Sequence, residues 1–140
     1  MSSVLAISGA RIFDGEDWHG GKALLVANGI VEAIIPDDAL PRSAKAVDLK
    51  GGFLAPGFVD LQVNGGGGVM LNDAPSVATI RRICAAHAAF GTTSLLPTFI
   101  TDTPQVTAAA LEAGAAAIHA KVPGFLGLHL EGPHLSLSRK

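Results

Sequence analysis

Apolar and polar positions follow two different rhythms along this chain, and the change of rhythm divides it. As far as Gly51-Gly52 the apolar runs are short and rich in β-branched residues: "VLAISGARIF", "ALLVANGIVEAII" and "SAKAVDLKGG". Asp14-Gly15 and Asn28-Gly29 punctuate them, and such pairs supply the positive-φ residues of tight hairpin turns. The pattern predicts a small antiparallel β domain over residues 1–52. From Phe53 strand-like and helix-like periods alternate. "FLAPGFVDLQV", "TSLLPTFI" and "GFLGLHLEG" read as strands, with "PSVATIRRICAAHAAF" and "PQVTAAALEAGAAAIHA" as helices between them. A β-α-β-α-β order predicts parallel pairing, because each helix carries the chain back to start the next strand in the same direction.

The helical segments carry the expected detail. Val77, Ile80, Cys84 and Ala88 recur at helical spacing and form one apolar stripe, with Arg81 and Arg82 off it. Gly91 is a natural stop for the first helix. Thr103 is placed to cap the second, and Pro104 sits at its first position, where a missing N–H costs nothing. Both helices end alike, "HAAFGTTSLLPT" and "HAKVPGFLGLHL", which is a weak internal repeat. Repeated β/α units with buried strands suit a β/α barrel or a doubly wound sheet.

Composition narrows the partners. With 49% hydrophobic but only 5% aromatic residues, the core is built from small aliphatics. Ten basic residues face twelve acidic ones without a Lys/Arg cluster, so nothing points to nucleic acid or to an anionic membrane surface. Cys84 is the sole cysteine, which excludes an intrachain disulfide. The opening "MSSVLAISGARIF" lacks a basic signal-peptide start, and no apolar run approaches the roughly 18 residues of a membrane span. The expected setting is cytoplasmic.

In either β/α architecture chemistry gathers at the carboxyl ends of the strands. Period two places Asp60, Gln62 and Asn64 on one face of the first strand, and His129 and Glu131 on one face of the third. Gly65 to Gly68 follow the first strand end, a loop able to approach a ligand, although no Gly-Lys-Ser/Thr follows as in a phosphate-binding loop. A glutamate ending a buried strand needs a cation beside it, which an arginine or a metal can supply. His87 and His119 read as surface or cap residues, and His19 as a turn residue.

The segment "GGFLAPGFVDLQVNGGGG" resembles the entry into the barrel of the amidohydrolase superfamily. The typical form there is Pro-Gly-Phe-(Ile/Val)-Asp-x-His-x-His. Pro56-Gly57-Phe58-Val59-Asp60 matches it, but Gln62 and Asn64 stand where the two metal-binding histidines would be. That exchange, with "HLEGP" and "GTTSLLPTFIT", is similar to the N-acetylglucosamine-6-phosphate deacetylase family within the superfamily. The resemblance implies an α/β fold, with residues 53–140 as the first three strands of an incomplete TIM-type β/α barrel. It implies that Glu131 is a ligand of a divalent metal, zinc or similar, and that Gln62, Asn64 and Gly132 line the site. Asp60, His129 and His134 are further candidates near it.

Neutral Gln and Asn compete poorly for such an ion, so the resemblance favours a single-metal site. Its chemistry would be hydrolysis of an N-acetyl group on an amino sugar phosphate by water activated on the metal, with an aspartate as base. That aspartate and two histidine ligands are expected beyond Lys140, since a full barrel takes about 250 residues. The chain is therefore expected to be an amino-terminal piece, inactive alone, of an enzyme that forms a homo-oligomer, a dimer, when full length. Two other functions fit the pattern less well. One is an amidohydrolase acting on a cyclic amide or amine; the other is a non-catalytic binding or assembly module.

Overall fold

The structure, a computed structural model, describes residues 4–132 together with His134, Ser136 and Ser138. It has two compact units, one ending at Pro56 and the other beginning at Gly57.

The first unit contains β1 (Val4–Ser8), β2 (Arg11–Phe13), β3 (Trp18–His19), β4 (Lys22–Ala27), β5 (Ile30–Pro36), a 3-10 turn (Asp37–Ala39), β6 (Lys45–Asp48) and β7 (Phe53–Leu54). They make a four-stranded sheet in the order β5-β4-β1-β6 and a three-stranded sheet in the order β3-β2-β7. Asn28 and Gly29 turn β4 into β5 with φ of 52° and 79°, both positive as the tight hairpin requires. Asp14 works differently. Its Oδ1 accepts the amides of Glu16 and Asp17 at 2.9 and 2.8 Å, closing a longer loop between β2 and β3. Its Oδ2 accepts His19 Nε2 at 2.7 Å. His19 thus belongs to β3, opposite Ile12, and not to the turn. The bonds from Asp17, His19 and Glu16 hold the Asp14 carboxyl well below the usual carboxylate range.

The unit is not wholly antiparallel, as the apolar pattern predicts. β6 runs parallel to β1, pairing Leu5 with Lys45 and Ile7 with Val47, and β7 runs parallel to β2, pairing Arg11 with Phe53. Residues 45–54 return beside residues 4–13 as a second arm in the same direction. The arms bend together: Gly9 has φ 77°, and Lys50, Gly51 and Gly52 are also positive, at 55°, 114° and 82°. A Cβ on Gly9 would collide with Asp48 Oδ1. Short apolar runs carry no mark of strand direction, so periodicity alone could not separate the two pairings.

"FLAPGFVDLQV" is likewise two strands. Phe53–Leu54 stays with β2, and the next strand starts at Phe58. Pro56 has no amide to give a ladder, which breaks an otherwise continuous apolar run.

The second unit is β8 (Phe58–Val63), α1 (Val77–Ala88), β9 (Thr92–Ile100), α2 (Pro104–His119) and β10 (His129–Glu131), a mixed α/β arrangement. Its strands form a parallel sheet in the order β10-β9-β8. Ser76 caps α1 by accepting the Thr79 amide at 3.1 Å, and Thr103 caps α2 by accepting that of Val106 at 3.3 Å, with Pro104 in the first turn. Ile80, Ile83 and Cys84 of α1 join Leu95 and Phe99 of β9 and Ala110, Ala113 and Ala117 of α2 in one core. Burial pushes the Cys84 thiol pKa up. Ala88, expected on this stripe, is exposed in the last turn of α1, and Ile83 fills the face instead. On α2, Gly114 lets the neighbouring chain come close: a Cβ there would lie 2.8 Å from Leu128 Cδ1.

The two similar helix endings have a shared structural role. After α1, Gly91 (φ 91°) accepts the amide of Phe58 at 2.9 Å; after α2, Gly124 (φ 78°) accepts that of Leu95 at 2.8 Å. Each turn glycine therefore ties the end of one helix to the preceding strand. Along β9, Leu95 and Phe99 face the helices. Alternation turns Thr98 and Ile100 to the opposite face, together with their register partners His129 and Glu131. Among the described residues no helix is long and apolar enough to cross a membrane.

Candidate functional site

The carboxyl ends of β8, β9 and β10 are built in different ways. β10 ends at Glu131, whose side chain is exposed and whose carbonyl accepts the Thr101 hydroxyl at 2.6 Å. Gly132 follows with φ 111°, and a Cβ there would run into Thr101 Oγ1. The end of β9 is clamped by one amide side chain. Asn72 Oδ1 accepts the Ile100 amide at 3.1 Å, while Nδ2 donates to the Ile100 carbonyl at 2.9 Å and to Asp102 Oδ2 at 3.0 Å. Asp102 Oδ1 accepts the Thr103 amide at 2.7 Å. The Asn72 bond first, and the Thr103 bond second, lower the Asp102 pKa.

β8 ends less regularly. Its register against β9 shifts between Asp60 and Val63, where Asp60 pairs with Leu95 and Val63 with Pro97. The extra residue is a bulge, so strict alternation does not run from Asp60 to Asn64. Asp60 is half-buried and its Oδ1 accepts the Gln62 amide at 3.1 Å. Gln62 and Asn64 are exposed, and Asn64 lies past the strand.

The glycine loop that follows is packed on α1. His87 Nε2 donates to the Gly65 carbonyl at 2.9 Å, and a Cβ on Gly66 would sit 2.8 Å from that same Nε2. His87 is thus a half-buried clamp rather than a surface or cap residue; His119 is exposed.

Among the described residues two buried polar atoms have no partner: His129 Nδ1 and Thr98 Oγ1. They belong to register partners on the face opposite the helices, one residue pair deeper than Glu131. Buried polar atoms are nearly always paired, so this spot calls for a polar group from water, ligand or another part of the protein. His134 is exposed, and Pro133, the proline of the Gly-Pro break, lies outside the described residues. Among the described residues Asp14–His19 is the one ion pair, so no basic side chain answers the Glu131 carboxylate. Among them, too, no group of three or more His, Cys, Asp or Glu could hold a metal. On chemistry the donor set fits one carboxylate of a larger ligand set, and no more than that.

The sequence reading missed Asn72, Thr101 and the clamping role of His87. Each acts on a partner distant in sequence. Their only local sign was a polar residue beside a strand end or in a helix's last turn.

Residues 5–54 match the NagA composite domain family. The chain is 52% identical over 139 residues to an N-acetylgalactosamine-6-phosphate deacetylase of Shewanella sp. (strain ANA-3), covering 98% of this chain and 35% of that protein. It is 41% identical over 118 residues to an N-acetylglucosamine-6-phosphate deacetylase of Haemophilus influenzae, covering 84% of this chain and 31% of the relative. The crystal structure of N-acetylglucosamine-6-phosphate deacetylase from Pasteurella multocida superposes with a TM-score of 0.91 at 38% identity, over 96% of this chain and 36% of that one. The chain is therefore a relative of the N-acetylhexosamine-6-phosphate deacetylases. It spans about a third of the length of the curated relatives it matches.

Proposed function

We propose that the complete protein removes the acetyl group of N-acetylglucosamine 6-phosphate, releasing acetate and glucosamine 6-phosphate. The observation that carries this is the TM-score of 0.91 at 38% identity, over 96% of this chain, to the N-acetylglucosamine-6-phosphate deacetylase of Pasteurella multocida. In this reading β8, β9 and β10 are the first three strands of a TIM-type β/α barrel. The β strands of the first unit form a small domain that other parts of the protein complete. The protein is cytoplasmic and dimeric.

Glu131 supplies one ligand of a single divalent metal, zinc or similar, with the other ligands and the aspartate base contributed from outside residues 1–140. Such a metal lowers the pKa of water and polarises the amide carbonyl. The chain's own residues orient and shape. Glu131 presents a carboxylate with no competing cation among the described residues. Gln62 and Asn64 offer neutral amides that hydrogen-bond to substrate or water without holding a second ion. Gly132 keeps the backbone beyond Glu131 free of a side chain. His129 Nδ1, with Thr98 Oγ1, gives a polar floor to the same face. Asp60 supports the bulge through the Gln62 amide, and His134 borders the mouth.

A second reading, N-acetylgalactosamine 6-phosphate as substrate, is favoured by the name of the Shewanella relative. Acetate release from both epimers by the purified full-length protein, with metal analysis of the same sample, tests the reading. Preference for one epimer chooses between the two substrates. Metal-replete protein that releases acetate from neither defeats both.

A further inference from the structure

We propose that Thr101 is the positioning residue for Glu131 and that Asn72 holds Thr101 in register. The proposal rests on the reading of Glu131 as a metal ligand and concerns what aims it.

Glu131 pairs with Ile100 in the last rung of the β9–β10 ladder. Among the described residues no strand pairing follows that rung. The Thr101 hydroxyl takes over, donating to the Glu131 carbonyl at 2.6 Å and so extending the ladder by one side-chain bond. Gly132, at φ 111° and with no Cβ, leaves the space that this hydroxyl occupies. The donor is itself fixed from both sides. Asn72 bonds the amide and the carbonyl of Ile100 at 3.1 and 2.9 Å, and its Nδ2 reaches Asp102 at 3.0 Å, so the residues before and after Thr101 hang on one amide group. Holding the backbone of Glu131 in this way fixes the point from which its side chain starts, and so limits the positions that its carboxylate can reach, as a metal ligand needs. Asn72, Thr101 and Glu131 come from three separate segments, and the network does no evident work for the apolar core.

The test uses the full-length enzyme, with zinc as the probe in competition against a chelator, alongside kcat, KM and thermal midpoint. Thr101→Val keeps the shape and removes the donor. Its zinc affinity and kcat should each fall about 10- to 100-fold, the usual effect of losing a group that orients a ligand, with KM changed less than threefold. Thr101→Ser, which keeps the hydroxyl, should recover most of both, and Asn72→Ala should move the same two quantities. If Thr101→Val does not fold, Thr101→Ala is read in the same way.

Wild-type zinc affinity in Thr101→Val overturns the proposal, as does a Ser variant as impaired as the Val variant, which would mark a packing role. Glu131→Gln is run in parallel. If it loses zinc while Thr101→Val keeps it, only the positioning role fails; if it keeps zinc and activity, the ligand reading fails as well.

Discussion

Ala6, Ile12 and Ala23 are the deeply buried apolar side chains described in the first unit, whereas the second joins residues from Val63 to Phe125 in a continuous cluster. Both leave large apolar side chains exposed, Ile30 at 66% and Phe53 at 71% in the first, Phe58 at 69% and Phe90 at 83% in the second. The order of the first unit comes from ladders and from turns in which glycines and one aspartate meet strict backbone demands. The second unit is ordered by interdigitated packing, and its polar clamps lie at the strand ends. Packing there leaves the mouth free to carry polar residues; in the first unit backbone geometry has to do most of the holding.

The sharpest way to break this comparison is to cut the cores. Ile83→Ala should cost about 2–5 kcal/mol, since its site in the helix–sheet layer is enclosed. Ile12→Ala should cost less, because a thin sheet relaxes or admits water more readily. Denaturant unfolding of the full-length protein measures both, and equal losses would mean that the first unit depends on packing as much as the second.

Backbone strictness comes next. Gly9→Ala adds a Cβ against Asp48 at φ 77°, for an expected loss of about 1–3 kcal/mol from strain and collision. Gly114→Ala puts a Cβ 2.8 Å from Leu128 Cδ1 and 3.1 Å from its Cγ, a side chain rather than backbone, and should lose about 1 kcal/mol or less, part of the collision being offset by better helix propensity. The reverse order in thermal midpoints would contradict the contrast.

A smaller effect is expected at the β8 loop. His87→Ala frees the Gly65 carbonyl, for roughly 0.5–1.5 kcal/mol, and amide exchange over Gly66–Val69 should quicken while that of β9 stays unchanged.

The smallest effect is that of pH. Asp14 and Asp102 both have folded pKa values below the ordinary 3.8. A lowered carboxylate stabilises the fold fully above its unfolded value, and that contribution fades as pH falls through 3.8 toward the folded value. The gap in thermal midpoint between wild type and Asp14→Ala should therefore be constant above about pH 5 and narrow below pH 4. A gap that widens on acidification would refute the assigned cause.

Much of this was legible in the residues, and for physical reasons. Thr103-Pro104 marked the start of α2 because a side-chain cap satisfies one orphan amide of the first turn and a proline, having no N–H, removes another. Asn28-Gly29 marked its hairpin because few other pairs tolerate two positive φ values. Glu131 stood out because a carboxylate at the end of an apolar strand is costly without a partner. What stayed hidden was relational. The parallel return of residues 45–54 depends on which distant strand pairs with which, and local periodicity does not encode that. The bulge after Asp60 spoils a face assignment that assumed unbroken alternation. Thr101 looked like one polar residue in a Thr-Asp-Thr helix start; its acceptor lies 30 residues away.

The returning arm of the first unit also bears on time. The β4–β5 hairpin closes across Asn28-Gly29 and can form within about 1–10 μs. The pairings of β1 with β6 and β2 with β7 join segments some forty residues apart, Leu5 with Lys45 and Ile12 with Leu54. Each doubling of loop length adds about 0.6 kcal/mol of closure entropy. Until that arm arrives, β1 has one neighbour, β4, and its other edge is open to any chain able to add a strand. The order of events therefore sets the first unit's exposure to misassembly: the hairpin is early, the arm is late, and the interval between them is when an unpaired edge is at risk.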